Sequence, residues 1–289
     1  MLTGEVTRTM QISHDRASAL DTIFRAKIPL IGNLHLPPLV GTPRYRGESM
    51  TAIVDRALRD ADAFMNGGMD GIIIENHGDI PFLKPNEIGP EIIAAMSAIA
   101  TRVVGAVDVP VGINLLANAA IGGLAIAKAS GARFIRVNQW VNAYIANEGL
   151  VEGESARALR YRKQIEAEDV AIFADVHVKH GSHAIVGDRP VSEQASDVEF
   201  YDADVTIASG NRTGDAVPEE EIRSIRSGTG LPVIAGSGIT VANAATILPL
   251  LDGAIVGSSL KVGGVWWNCV ELERVAALVA AVKPLRERL

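Results

Sequence analysis

The feature that most constrains this chain is an alternation of short apolar runs with amphipathic helical stretches, repeated eight times. The runs are rich in β-branched residues and almost continuously apolar, as is typical of parallel strands covered on both faces. We predict strands at residues 30–34, 71–75, 109–115, 133–138, 170–176, 204–208, 232–236 and 253–257. Helices are predicted after them at residues 50–64, 87–104, 117–129, 153–167, 191–201, 218–226, 241–250 and 270–281.

Eight strand–helix units predict an α/β fold, a single (β/α)8 TIM barrel. One domain covers residues 1–289, with 1–25 as an N-terminal extension or helix. A doubly wound open sheet is the alternative, but no Gly-x-Gly-x-x-Gly motif follows the first strand. The first barrel helix has Ser49 as a plausible cap and Gly67 as a plausible stop.

Composition excludes several classes of partner. Lys and Arg number 27 against 34 Asp and Glu, a net charge of −7, which disfavours nucleic acid because phosphate backbones need a basic surface. Cys269 is the only cysteine, so no intrachain disulfide or cysteine-based zinc site forms, and a reducing, cytoplasmic location is expected. The N-terminal residues resemble no export signal.

Two long uncharged stretches, 109–127 and 227–251, are interrupted by proline, glycine or asparagine. A membrane-spanning helix would leave backbone groups unsatisfied at such breaks, whereas a buried strand followed by a turn and a helix explains both stretches. We therefore expect a soluble protein that is not an integral membrane protein. Trp140 and the pair Trp266-Trp267 are interpreted as packing or a subunit interface, and a homo-oligomer is expected.

The joins from strand to helix are long at 35–47, 76–86, 139–152 and 179–190, while several returning joins are short. In barrels the functional pocket is built from the loops at the carboxyl ends of the strands, so we expect the site there.

A phosphate site is predicted from two glycine–serine turns. Gly236-Ser237-Gly238 follows the seventh predicted strand, with Thr240 opening a helix, and Gly257-Ser258-Ser259 follows the eighth. Glycines let backbone amides approach an anion, and barrels commonly bind phosphate with these two loops. Tight turns with no ligand are the alternative interpretation. Four residues after the sixth strand were weaker candidates for the same pocket: Ser209, Gly210, Thr213 and Gly214.

The fifth predicted strand ends in Asp175, His177 and Lys179, which alternate along it. Residues two apart share a face of a strand, so the three side chains should project together at the barrel mouth, with Glu75 facing them. Such a cluster could supply acid, base or electrostatic catalysis, and we predict these four residues to be catalytic. A structural ion pair is the alternative.

Polar residues end other strands and are predicted to bind substrate. A ring of amide, imidazole and guanidinium groups suits a polyhydroxylated ligand, although a lone Asn often only satisfies a loop backbone. The predicted substrate-binding residues are Asn33, His35, Asn76, Asn114, Arg136, Asn138 and Ser209. No cofactor is certain from the sequence. A divalent metal remains open, with Asp175, His177, His180 and Glu75 as acceptable ligands, although no His-Glu-x-x-His spacing is present.

Several of these motifs together resemble the BtpA family. They are GNLHLPPL at 32–39, GTP at 41–43, DGIIIEN at 70–76, FIRVN at 134–138, ADVHVKH at 174–180, GSG at 236–238 and VGSSLK at 256–261. The family is named after a photosystem I biogenesis factor peripheral to thylakoids, and many members occur in bacteria without photosynthesis. The resemblance implies a barrel similar to ribulose-phosphate-binding barrels.

Three functions remain open from the sequence. The first is a lyase or isomerase acting on a small phosphorylated, sugar-like metabolite, which the polar ring facing a phosphate site favours. The second is a non-catalytic assembly or regulatory factor, as the family name implies. The third is metal-dependent hydrolysis of a nucleoside or phosphate ester, based on Glu75 and the fifth strand. A fold of this kind supports unrelated chemistries and does not choose among them.

Overall fold

A computed structural model describes residues 18–210 and 215–288. Its strands are β1 (Leu30–His35), β2 (Gly71–Glu75), β3 (Val111–Asn114), β4 (Phe134–Val137), β5 (Ala143–Ala146), β6 (Gly149–Glu152), β7 (Ala171–Asp175), β8 (Val205–Ala208), β9 (Val233–Ala235) and β10 (Gly253–Val256). Eight of them form a closed parallel barrel in the order β1-β10-β9-β8-β7-β4-β3-β2. The predicted (β/α)8 fold is confirmed, and closure of the sheet excludes the open doubly wound alternative.

The helices follow the strands as the apolar periodicity predicts. They are α1 (Ala19–Ile23), α2 (Met50–Gly67), α3 (Pro90–Val104), α4 (Ala120–Ser130), α5 (Ser155–Gln164), α6 (Val191–Phe200), α7 (Glu219–Gly228), α8 (Ala244–Ile247) and α9 (Leu272–Arg286). Ser49 caps α2 by accepting a hydrogen bond from the Ala52 amide, and Gly68 ends the helix in the left-handed region at φ 87°. The stretch 109–127 contains β3 and the start of α4, as predicted.

The helix predicted at 241–250 is much shorter than expected. Residues 241–243 form a turn, α8 has only four residues, and a 3₁₀ turn follows at Leu248–Leu250. Pro249 has no amide hydrogen to continue an α-helical ladder, which favours the tighter turn. Thr240 therefore precedes a turn and does not open a helix.

Aromatic rings fill the amino-terminal half of the barrel interior. The rings of Phe134 and Phe173 stack with their centroids 4.5 Å apart. Phe24, immediately after α1, meets Phe134 edge-on at 5.8 Å and is almost fully buried. The part of the predicted N-terminal extension that is described thus closes the bottom of the barrel, while residues 1–17 lie outside the described residues.

The long join after β4 carries an antiparallel hairpin, β5–β6, that the sequence did not predict. Its buried residues Tyr144 and Val151 pack with Val178 from the loop after β7. The hairpin therefore covers one side of the barrel mouth. In the part of the chain that is described, no helix has both the length and the apolar character needed to cross a lipid bilayer.

Candidate functional site

Strand register builds the centre of the candidate site. His35, Glu75 and Asn114 are paired neighbours at the carboxyl ends of β1, β2 and β3. Both Asn114 and Asn33 donate to Glu75 Oε2 through their Nδ2 atoms, at 2.6 and 3.1 Å. The other carboxylate oxygen, Oε1, lies 2.5 Å from His77 Nδ1 and 3.8 Å from His35 Nε2. Glu75 is thus a buried carboxylate held by four side chains.

These contacts fix the charge of the Glu75 carboxylate. Burial alone would raise the pKa of Glu75, but the hydrogen bond from His77 and the charges of His77 and Arg136 hold that pKa well below its ordinary value. Burial lowers the pKa of His35 to about 3, so this imidazole is neutral at physiological pH. His35 Nδ1 lies 2.9 Å from the carbonyl oxygen of Trp266, and because only a protonated nitrogen donates there, Nε2 keeps its lone pair.

A second buried group joins β4 to β7. Arg136 donates from Nε to Asp175 Oδ2 at 2.8 Å and from Nη2 to Oδ1 at 2.9 Å. Ser209 Oγ donates to Oδ1 at 2.6 Å, and Arg136 Nη1 donates to the Gly236 carbonyl at 3.3 Å. Burial opposes the charged guanidinium, but the ion pair with Asp175 outweighs it and raises the pKa of Arg136. Asp175 is therefore a partner of Arg136 and not a free carboxylate at the mouth.

The expectation that Asp175, His177 and Lys179 project together is wrong for His177. Strand β7 ends at Asp175, so the alternation of faces does not continue beyond it. His177 Nδ1 lies 3.3 Å from Glu221 Oε1, and its ring contacts that of His183 at 3.8 Å between centroids. Neither cavity described below is lined by His177.

Lys179 does reach the site. Its side chain lines both cavities at the mouth, and burial, followed by the charge of Arg136, lowers its pKa to about 8. An amine with this pKa is partly neutral near physiological pH, so it can act as a base or as a nucleophile.

The two predicted glycine–serine loops line one cavity of about 200 Å³. Its walls include Gly236, Ser237, Gly238, Gly257, Ser258 and Ser259, and on the opposite side Asn33, His35, Glu75, His77 and Lys179.

Three details describe the packing of this wall. Ser237 Oγ is buried and has no hydrogen-bond partner within the described residues. Gly238 adopts φ +79°, and a Cβ atom there would lie 2.0 Å from the Asp215 carbonyl oxygen, so only glycine fits. Ser259 Oγ donates to the Ile239 carbonyl at 2.8 Å and joins the two loops.

A second cavity of about 420 Å³ shares Glu75, His77 and Lys179 with the first. Its remaining walls combine polar groups with apolar and aromatic ones, among them Asn114, Arg136, Asn138, Phe82, Tyr144 and Trp266. Asn138 also approaches Asp175 Oδ2 at 3.5 Å. The mouth therefore offers one glycine–serine compartment and one larger compartment of mixed polarity, with ionisable groups between them.

Some predicted substrate-binding residues lie behind the site. Asn76 accepts from the Leu116 amide at 2.7 Å and donates to Asp79 at 2.9 Å, so it joins two loops, and it lines neither cavity. Ser209 is occupied by Asp175. Thr213 and Gly214, the weaker candidates after the sixth strand, lie outside the described residues.

Sequence reasoning missed two members of the site. The sequence patterns predict no role for His77, which follows the second strand, and Trp266 was interpreted as packing or a subunit interface. In the structure the Trp266 ring lies 4.3 Å from the His77 ring between centroids, while its carbonyl contacts His35. The signal available for His77 was its spacing of two residues from Glu75. Nothing local marks Trp266, which lies 231 positions from His35 in the chain.

The metal-ligand set considered from the sequence is not brought together. Asp175 is occupied by Arg136, and His177 by Glu221, whereas Glu75 contacts His35 and His77. Among the described residues, the group whose ligand atoms do converge, all within 4.8 Å, is His35, Glu75 and His77.

Comparison with solved structures agrees with the barrel. Tryptophan synthase from Mycobacterium tuberculosis superposes with a TM-score of 0.57 at 15% identity, covering 92% of this chain and 99% of that one. Phosphoribosyl anthranilate isomerase from Thermus thermophilus gives 0.53 at 15% identity, covering 89% and 100%. Thiamine phosphate pyrophosphorylase from Pyrococcus furiosus gives 0.53 at 17% identity, covering 89% and 96%. At these identities the likeness establishes the fold alone.

Sequence relatives are much closer. A protein of Archaeoglobus fulgidus is 41% identical over 254 residues, 88% of this chain and 98% of its own length. A Caenorhabditis elegans protein described as mitochondrial is 36% identical over 91% of this chain and 96% of its own. The photosystem I biogenesis protein BtpA of Synechocystis is 39% identical over 90% of this chain and 89% of its own. The profile of the BtpA family matches residues 26–284, and the chain therefore belongs to the BtpA family.

Proposed function

We propose that this protein binds a small phosphorylated, sugar-like metabolite at the barrel mouth and acts on it as an isomerase or lyase. The observation that carries the proposal is the cavity of about 200 Å³ in which Gly236–Gly238 and Gly257–Ser259 face Glu75 and Lys179. It combines groups suited to an anion with groups suited to proton transfer.

The glycine–serine compartment would take the phosphate. Glycine at 236, 238 and 257 allows backbone to approach the anion closely, and Ser237 Oγ is a buried hydroxyl in need of a partner. Because α8 is only four residues long, backbone and hydroxyl donors have to hold the anion with little help from a helix dipole.

The larger compartment would take the body of the metabolite. Asn114, Asn138 and Arg136 offer donors to hydroxyl or carbonyl oxygens, and Phe82 and Trp266 offer apolar faces against which carbon–hydrogen surfaces pack. Polar groups at a few points on an otherwise apolar wall are typical of small-molecule sites. Two barrels of the same fold, phosphoribosyl anthranilate isomerase and thiamine phosphate pyrophosphorylase, act on phosphorylated compounds according to their names, which agrees with this arrangement.

The chemistry would take place between the two compartments. In its neutral form Lys179 can remove a proton from a carbon next to a carbonyl, while the Glu75–His77 pair holds and relays a proton on the other side. Returning that proton to the former carbonyl carbon, while a proton moves from the neighbouring hydroxyl to the former carbonyl oxygen, gives isomerisation. Loss of a hydroxyl or phosphate group from the β carbon, with its bonding electrons, gives elimination. Asp175 acts indirectly, by holding Arg136 in place.

Ligand binding can be tested by isothermal titration with ribose 5-phosphate and ribulose 5-phosphate, each compared with the sugar lacking phosphate. Ser258→Asp places a negative charge in the phosphate compartment and should weaken sugar-phosphate binding at least about tenfold, or about 1.4 kcal/mol. Ser196→Asp, on the exposed face of α6, is the matched control and should not change binding. Equal affinity for sugars with and without phosphate would overturn the proposal.

Catalysis can be tested by proton NMR in D₂O. Deuterium should enter the carbon next to the carbonyl of a bound sugar phosphate, and Lys179→Met should abolish this exchange while Ser196→Asp leaves it unchanged.

The name of the Synechocystis relative favours a second candidate, a role in assembly or regulation. Sugar-phosphate binding without deuterium exchange in the wild-type protein would support that candidate.

A further inference from the structure

Atoms that can bind metal, from His35, Glu75 and His77, lie close together at the barrel mouth. The hydrogen bonds to Glu75 alone do not explain this arrangement. His35 and Glu75 are register partners on adjacent strands, and His77 follows two residues after Glu75. One nitrogen of each histidine and one Glu75 oxygen lie within 4.8 Å of one another. Of these atoms, His77 Nδ1 is 2.5 Å and His35 Nε2 is 3.8 Å from Glu75 Oε1.

The far atoms of two of the three ligands, His35 and Glu75, are held by other groups, which orients their inner atoms toward His77. His35 Nδ1 is engaged by the Trp266 carbonyl at 2.9 Å, which directs Nε2 inward. Glu75 Oε2 accepts from Asn33 and Asn114, which leaves Oε1 toward the histidines. Metal-binding histidines and carboxylates characteristically have their far atoms fixed in this manner, because the outer hydrogen bonds set the tautomer and the ring orientation.

We propose that His35, Glu75 and His77 bind a divalent transition-metal ion through His35 Nε2, Glu75 Oε1 and His77 Nδ1. Two imidazoles and a carboxylate are a ligand set typical of catalytic Zn²⁺ and of Fe²⁺ or Mn²⁺, whereas Mg²⁺ and Ca²⁺ prefer oxygen ligands. An ion about 2.1 Å from each atom places tetrahedral ligands roughly 3.4 Å apart. The 2.5 and 3.8 Å separations lie on either side of this value and the third pair lies within 4.8 Å, so the side chains must shift to seat an ion.

The position of the ion would make it part of the reaction site. All three ligands line the cavity formed by the two glycine–serine loops, and three protein ligands leave at least one coordination position open toward it. A substrate oxygen could fill that position and be polarised there. The ion would replace the proton shared by His77 Nδ1 and Glu75 Oε1, so it would take the place of the proton relay given above to that pair. The metal site stands on its own geometry, while its role in catalysis rests on the proposed function.

The chain contains a matched control cluster. His177 and His183 contact each other 3.8 Å apart between ring centroids, and His177 lies 3.3 Å from Glu221. His183 Nε2, however, contacts the Val178 carbonyl at 2.8 Å, and this cluster has no convergence of three ligand atoms within the described residues. Removing these two histidines lowers the histidine content by more than His77→Ala does, but should leave the ion in place.

The test uses full-length protein without a histidine tag, stripped with a chelator and equilibrated with Co²⁺ or Zn²⁺. We expect one ion per chain by elemental analysis, with visible Co²⁺ absorption bands of a low-coordinate nitrogen–oxygen site. His77→Ala should remove stoichiometric binding, and because His77 is only partly buried, this variant should still fold. Asn114→Ala should weaken binding about 10- to 100-fold, since Asn114 orients Glu75.

His177→Ala with His183→Ala should bind like the wild type. Loss of the ion in that double variant, with retention in His77→Ala, would place the metal elsewhere and overturn the proposal. Absence of any stoichiometric metal in the wild type would also overturn it. Sugar-phosphate titration is read separately from metal uptake. Phosphate-dependent binding by a protein that takes up no stoichiometric metal refutes only the metal site, and stoichiometric metal binding without phosphate-dependent sugar binding refutes only the proposed ligand.

Discussion

The buried charge of Lys179 should lower the free energy of unfolding of this protein, and replacing the residue tests the electrostatics of the whole site. Burial, and next the charge of Arg136, lower its pKa from 10.5 to about 8. The folded protein therefore disfavours the ammonium form that the unfolded chain carries at neutral pH. Lys179→Met keeps a long flexible side chain of similar size and removes the charge.

The magnitude follows from the change in pKa. A fall from 10.5 to about 8 corresponds to roughly 3 kcal/mol at about 1.4 kcal/mol for each pH unit. Because the side chain is only partly buried and opens onto the cavities, we expect Lys179→Met to raise the free energy of unfolding by about 1–2 kcal/mol at pH 7. The cost is fully present below pH 8 and disappears as the pH rises toward 10.5, where both states are neutral.

Urea denaturation followed by circular dichroism, at pH 7 and pH 10, measures this difference. Lys179→Met should unfold at higher urea than the wild type at pH 7, and the gap should narrow at pH 10. Lys283→Met, on the exposed part of α9, is the control and should show no such gap. A Lys179→Met variant that is less stable than the wild type at pH 7 would refute the reasoning, because Lys179 would then be a stabilising ion-pair partner.

Three further changes test buried contacts. Asp175→Asn should lower the free energy of unfolding by about 3–5 kcal/mol, because Arg136 stays buried without its counter-charge; an unchanged urea midpoint would contradict this. Lys261→Met should lower the free energy of unfolding by about 3 kcal/mol, because the Asp60 carboxylate, 3.9 Å from the fully buried amine, keeps its hydrogen bond from the Val270 amide but loses its counter-charge; adding Asp60→Asn should recover most of that loss in the same assay. Phe24→Ala should cost about 3–5 kcal/mol by opening a cavity beneath the stacked rings, visible as a lower melting temperature; a change below 1 kcal/mol would mean that the segment before β1 is not part of the core.

The strands and most helices could be predicted because burial on both faces produces continuous apolar runs, and burial on one face produces helical periodicity. The proximity of the two glycine–serine loops could be predicted from the order of the strands along the chain, because neighbouring parallel strands end at the same edge of the sheet. The hairpin β5–β6 could not be predicted, because four-residue strands with one buried side give little periodic signal.

The site was predicted less completely for two physical reasons. Alternation applies only while the backbone is extended, so extrapolating past Asp175 placed His177 on the wrong side. Contacts between distant segments also leave no local trace. The Trp266 carbonyl, on the loop after β10, contacts His35 only in the folded chain, and the sequence around neither residue predicts this contact.

The filled lower half of the barrel has a consequence for how ligands come and go. Phe24, Phe134 and Phe173 occupy the axis from below, and the Arg136–Asp175 pair crosses the interior above them. Among the described residues, both cavities lie above this filled half, so a small molecule enters and leaves them from the carboxyl-terminal end of the strands. Under the proposed function, substrate and product would use the same end of the barrel, and the product would compete with the substrate for the same cavities.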